Sequence, residues 1–302
     1  MTRRIGPPRA LKYVAISPAS GIASLFIFYV LFSKMFPRQF PMFIEYSGLP
    51  VPGNFITIIY IDLFIVFLLA PISIYARKYI EYMQKLKEQA RSFLQVYPSV
   101  AASMTSVSKA IIASLDLVEE PLKDYLEAFA YLYNMTGDLE GSFLKIFSKT
   151  PKSVRLLLTS ILTTARSGGR SEDVLSVTSK YASELQRMDF YLRNRLQPYS
   201  TVIFLGAAVF GFSVGMTSVM LEILRRTPSF GLSKVTTYTI NVHGIIGIFF
   251  YSLLILSASS SYIIAKVIYD HALKASEYFI YLTLIGTLTM MIALATGPRF
   301  IH

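Results

Sequence analysis

The stretch Asn54 to Ala76, NFITIIYIDLFIVFLLAPISIYA, decides how the rest of the chain is read. Its 23 residues carry one charged side chain, Asp62. A helix of that length rises about 35 Å, enough to cross the roughly 30 Å hydrocarbon layer of a bilayer. Four further runs have the same character, each with at most one charged residue: Ala15 to Phe36, Tyr199 to Leu224, Asn241 to Ala265 and Tyr278 to Thr296. Together they predict an all-α, polytopic membrane protein with about five transmembrane helices. Composition agrees, because 53 % of the 302 residues are hydrophobic and only 16 % are charged, whereas a soluble domain carries about 25 % charged residues.

Arg3, Arg4, Arg9 and Lys12 precede the first run, an order that a secretory signal peptide would share. The run is longer than such a peptide needs and lacks a clear small-residue cleavage site, so it reads as a retained first span. The net charge of +11 is explained by topology, since Lys and Arg accumulate on the cytoplasmic side of a membrane. The four N-terminal basic residues, the 17 between Arg77 and Gln197, and Lys266 with Lys274 fall on one side. Arg38, then Arg225, Arg226 and Lys234, and finally Arg299 fall on the other. This places the N-terminus in the cytoplasm and the C-terminus outside, in a multi-pass protein of the cell membrane. It leaves no basic excess that calls for nucleic acid as a partner.

The chain thus divides into residues 1–76, an N-terminal segment with two spans; 77–197, a region of mixed polarity; and 198–302, three more spans. The middle region has 17 basic and 13 acidic residues, a balance of 17 − 13 = +4, ordinary for a solvated surface beside anionic lipid. Its apolar residues recur with helical spacing. Val154, Leu157, Leu158, Ile161, Leu162 and Ala165 form one stripe, opened by Pro151 and closed by Gly168 and Gly169. Ser171, Glu172 and Asp173 start the next helix, with Val174, Val177, Tyr181, Leu185, Met188 and Leu192 as its predicted buried face. Leu122, Tyr125, Leu126, Phe129, Leu132 and Tyr133 make an earlier stripe, and Gly137 and Asp138 turn the chain into a helix over Leu139 to Ser148. A helix before these covers Glu81 to Leu117, bent or broken near Pro98. Short connections predict a cytoplasmic helical bundle.

The chemistry available is narrow. There is no cysteine, which removes disulfides, iron–sulfur clusters and thiol catalysis. No phosphate-binding G-x-x-x-x-G-K-[ST] loop occurs. His243, His271 and His302, the three histidines, have no metal-ligand spacing. Ser257, Ser259, Ser260 and Ser261 have no base within their own span, and with Gly206, Gly211 and Gly215 they read as small residues for close helix packing. No catalytic, cofactor-binding or metal-binding residue is therefore assigned, and no enzymatic activity. Asp62 is the polar candidate inside a span, where a carboxylate is costly; the alternative function it suggests is a small-molecule or proton-coupled transporter.

The stretches Thr150-Pro151-Lys152-Ser153-Val154-Arg155, Thr164-Ala165-Arg166-Ser167-Gly168-Gly169 and Asp173-Val174-Leu175 resemble the type II secretion system F domain family (GspF/TadC-like), in its archaellum or archaeal type IV pilus platform branch (ArlJ/FlaJ type). Phe93-Leu94, Met104-Thr105, Ala110-Ile111, Pro121-Leu122 and Gly137 stand where that domain places its first helix, its next helix and the turn. The resemblance covers about Phe93 to Leu224, with Ser103 where the family usually has glycine. It implies a platform beneath a filament, with a hexameric secretion ATPase on the cytoplasmic domain, prepilin or archaellin-type subunits against the spans, and a homodimer as the assembled form. Arg166, Ser167, Gly168, Gly169 and Arg170 are then the candidate docking edge for the ATPase.

Overall fold

A computed structural model describes residues 10–38, 40–104, 106–148, 150–167, 171–226 and 241–297. It is 87 % helical. The helices are α1 (Ala10–Met35), α2 (Phe55–Ala102), α3 (Val107–Ser114), α4 (Leu122–Thr136), α5 (Leu139–Phe147), α6 (Lys152–Ser167), α7 (Ser171–Arg226), α8 (Val242–Tyr269) and α9 (Ala275–Thr296). Five of them, α1, α2, α7, α8 and α9, contain stretches long and apolar enough to cross a membrane. The all-α expectation needs one correction: strands β1 (Phe43–Tyr46) and β2 (Leu49–Pro52) form an antiparallel hairpin between α1 and α2. Its two-residue turn, Ser47-Gly48, has φ of 53° and 80°. Positive φ at both central residues is the geometry that matches strand twist in a tight hairpin.

The described chain separates into two compact units, one built on Arg77–Arg195 and the other on 10–76 together with the residues from Leu196 on. The first unit contains the later part of α2, then α3 to α6, and the start of α7. Its core joins Leu86, Phe93, Leu94 and Tyr97 of α2 with Ile111 of α3, Leu122, Leu126 and Phe129 of α4, Phe143 and Phe147 of α5, and Val154, Leu158 and Ile161 of α6. Phe129, Phe143 and Phe147 pack with ring centroids 4.8 to 5.9 Å apart, the spacing at which edge-to-face and offset pairs are favourable. Of the two expected stripes, Leu122, Tyr125, Leu126 and Phe129, and Val154, Leu157, Leu158 and Ile161 with Leu162 against them, lie in this core, whereas Leu132 and Tyr133 are half-buried outside it.

Local signals set the ends of these helices. Gly137 ends α4 at φ 67°, a conformation that a side chain would strain. Asp138 then caps α5, accepting from Gly141 N at 3.0 Å. At the start of α4 the cap position is Pro121, which has no side-chain acceptor. Gln89 of α2 supplies one instead: its Oε1 accepts from Leu122 N at 3.1 Å, and its Nε2 donates to the Glu120 carbonyl at 2.9 Å. A helix start left without partners is costly when buried, so this long-range contact fixes α4 against α2.

The break expected near Pro98 falls one turn later: α2 continues to Ala102, ends in turns from Ser103 N to Val100 O and Met104 N to Ala101 O, and gives way to α3 at Val107. A proline one turn from a helix end removes a single hydrogen bond, which packing of Leu94 and Tyr97 outweighs. The buried face of α7 also differs. Ala182 is fully buried and Leu185 packs on the core, whereas Val177, Tyr181, Met188 and Leu192 are exposed. Leu185 is the member of the expected row that reaches the core, and Ala182, one residue on from Tyr181, is buried with it.

In the second unit, α1 lies against α2 with Ser17 Oγ donating to the Leu68 carbonyl at 2.6 Å and Ser20 Oγ to the Phe67 carbonyl at 2.8 Å. The hairpin rests on the start of α8, where Tyr251 Oη donates to the Pro50 carbonyl at 2.7 Å. Gly247 leaves room for Val51 and the Pro52 carbonyl, which a Cβ would meet at 2.6 and 2.8 Å. Gly211 and Gly215 of α7 face the backbone of α9, at Gly286 and Met290 respectively. Ile58, Val214, Phe250 and Met290, from four helices, form the cluster between them.

Candidate functional site

Asp62 lies on α2, one helical turn after Ile58, and is 5 % exposed. Its carboxyl group lies beside the Thr287 hydroxyl of α9, which donates to the Thr283 carbonyl at 2.9 Å, and Oδ1 has no hydrogen-bond partner. The site is a buried carboxyl group among apolar helices, where a polar atom without a partner is expensive. The structure supplies what sequence reading lacked, the partner Thr287.

The proposed docking edge is only partly described. Arg166 and Ser167 lie in the last turn of α6; Gly168, Gly169 and Arg170 lie outside the described residues. His243 is in the first turn of α8 and His271 follows α8; His302 is outside the described residues. Among the described residues no group of three or more potential metal ligands comes together.

The first unit contains a polar cluster that sequence reading missed. Lys87 and Arg91, four residues apart on α2, share Asp189 of α7. Lys87 Nζ donates to Asp189 Oδ2 at 3.1 Å, and the Arg91 guanidinium donates to the same oxygen. Arg91 is 5 % exposed, and its Nε has no acceptor. Burial alone would push the Asp189 carboxyl up, but the hydrogen bonds and charges of Arg91 and Lys87 hold it below the usual carboxylate range. A cavity of about 140 Å³ adjoins the cluster, lined also by Gln84, Glu88, Gln186 and Arg193. The i, i+4 basic pair was legible; the acid 98 residues away from Arg91 was not.

A second cavity, about 210 Å³, lies among α7, α8 and α9, walled by Gly206, Ala207, Phe210, Leu253, Ser257 and Leu282. Sequence reading grouped Gly206 with Gly211 and Gly215 as packing glycines. The structure separates them, for a Cβ at Gly206 would meet nothing within 4 Å.

No family model, no curated protein and no solved structure matches the chain.

Proposed function

We propose that this chain is a non-enzymatic platform in the cell membrane that couples a cytoplasmic secretion ATPase to assembly of an archaellum or type IV pilus-like filament. The observation that carries the reading is the resemblance of Thr150 to Arg155, Thr164 to Gly169 and Asp173 to Leu175 to the type II secretion F domain. Two features support it. The helical unit on Arg77–Arg195 has a core of its own, suited to a cytoplasmic bundle, and α2 and α7 each supply residues to both units as single helices of 48 and 56 residues.

In this reading the ATPase meets the edge from Arg166 to Arg170, while prepilin or archaellin-type subunits meet the spans, and the platform works as a homodimer. The test is Arg166→Glu with Arg170→Glu. The expected outcome is loss of ATPase pull-down and of filaments with unchanged membrane level and melting temperature, as for substitutions that alter a docking contact and shift stability by no more than about 0.5 kcal/mol. Normal ATPase binding and normal filaments would remove the docking role. Crosslinking in native membranes that yields only monomer would remove the homodimer.

One observation favours a second reading. The buried Asp62 has an oxygen without a partner, and a proton-coupled transporter requires a carboxyl group of this kind. Asp62→Asn separates the two: a transporter loses proton-dependent flux in vesicles, whereas a platform keeps filaments once inserted.

A further inference from the structure

The cavity of about 140 Å³ beside Asp189 is walled by α2 and α7 within the first unit. Lys87, Arg91 and Arg193 bring three positive charges to its wall, and Glu88 and Asp189 bring two negative ones, a balance of 3 − 2 = +1. The excess is concentrated at one carboxylate. Among the described residues, Lys87 and Arg91 each give one hydrogen bond, both to Asp189 Oδ2, although an ammonium group has three donors and a guanidinium five. Two cations therefore share one anion, and one of the two, Arg91, is only 5 % exposed. A buried charge that is not fully compensated is costly. The Gln186 amide adds a donor to the same wall: its Oε1 accepts from Gln95 Nε2 at 3.3 Å, so its own Nε2 remains available to donate. Donors thus outnumber acceptors, and the exposed Glu88 is the one other acid on the wall.

We propose that this cavity binds one small oxyanion of the phosphate class. Lys87 of α2 and Arg193 of α7 supply charge from its two sides, Gln186 a neutral donor, and the buried Arg91 the positive charge that Asp189, shared with Lys87, leaves uncancelled. Such an ion offsets the excess, and its several oxygens accept from both helices at once. Hydrogen bonds from ammonium and guanidinium groups to phosphate oxygens are charge-assisted and among the stronger ones available to a protein. Its compact size suits a volume of about 140 Å³. Free phosphate and a phosphomonoester head group such as that of phosphatidic acid present the same oxygens, and the experiment below separates these two sources. A site of this kind is independent of the platform reading, because it concerns what α2 and α7 bind between them and not what the chain assembles.

The test uses the full chain purified in neutral detergent, with inorganic phosphate titrated against chloride at constant pH and ionic strength, and is read by melting temperature and by titration calorimetry. The expected result is a saturable stabilisation by phosphate that chloride does not reproduce. Arg193→Gln removes an exposed cation and should weaken phosphate about tenfold, as loss of one hydrogen bond to a charged group implies. Glu88→Gln removes the opposing carboxylate and should tighten phosphate severalfold. Both side chains are exposed, so the melting temperature without phosphate should stay the same. Lys85→Gln and Arg187→Gln, exposed cations on the same two helices that do not line the cavity, should leave phosphate affinity unchanged. A second arm places the chain in nanodiscs with and without phosphatidic acid. Stabilisation by inorganic phosphate assigns the site to the free ion; stabilisation by phosphatidic acid alone, with the same dependence on Arg193 and Glu88, assigns it to the head group. No saturable effect of either, or an effect that Lys85→Gln and Arg187→Gln reduce as much as Arg193→Gln does, would overturn the proposal and leave the cavity to water.

Discussion

The two units are held together by opposite kinds of residue. The unit on Arg77–Arg195 has a continuous core in which Phe93, Tyr97, Phe129, Phe143 and Phe147 are buried among aliphatic side chains. Among the described residues of the other unit the fully buried cluster is smaller, Ile58, Val214, Phe250 and Met290, with Phe210, Phe249 and Tyr251 among the side chains packed against it, and the helices meet through Gly211, Gly215, Gly286 and back-bonded hydroxyls such as Thr283 and Thr287. The difference follows from the solvent each composition suits. In water, burying a large apolar side chain is itself the driving force. In lipid that force is absent between helices, so close backbone approach and dispersion must replace it.

That contrast can be broken most severely in the aromatic core. Phe129→Ala removes a fully buried ring and should destabilise by about 3–5 kcal/mol, read as a lower melting temperature and as protease sensitivity within residues 77–195. Next is Gly211→Leu in the apolar unit. Its Cβ would overlap the Gly286 carbonyl, a backbone atom that cannot rotate away, so a loss of about 1–3 kcal/mol is expected, measured by unfolding in detergent. The same leucine at Gly206 should cost far less, and equal losses at the two glycines would refute the distinction drawn between them.

A smaller effect tests the polar cluster. Asp189→Asn leaves Arg91 buried with only Lys87 and an amide beside it. Because the Asp189 side chain is 36 % exposed, solvent screening reduces the loss to about 1–2 kcal/mol. The sign with pH follows from the carboxyl being held low in the folded state. Its contribution is present above the unfolded value, near about pH 4, and disappears as pH falls through the lower folded value. Wild type and Asp189→Asn should therefore differ in melting temperature at neutral pH and converge in acid. The smallest effect is Gly206→Ala, which should stabilise by up to about 1 kcal/mol, since alanine is the better helix former and meets no neighbour.

Much of this organisation was written in the sequence because it depends on period and composition. Five long, nearly uncharged runs in which backbone groups must bond within the segment permit helices and little else. The Leu122 to Phe129 and Val154 to Ile161 stripes, the Gly137 turn and the Asp138 cap are local signals, and they appear where those residues stand. The hairpin was less legible, since its strands have four residues each and Ser47-Gly48 was its one clear sign. What only the tertiary structure decided involves distance along the chain or a choice between adjacent faces. The wide apolar sector of α7 contains both Tyr181 and Ala182, and periodicity cannot choose between positions about 100° apart; contact with the core of the first unit does. Gly206 and Gly211 are identical as letters, and only the helix opposite makes one a packing glycine and leaves the other facing open space. Asp62 with Thr287, and Arg91 with Asp189, are pairs that no local pattern announces, because a buried polar group takes its partner from whichever helix the fold brings within hydrogen-bond reach.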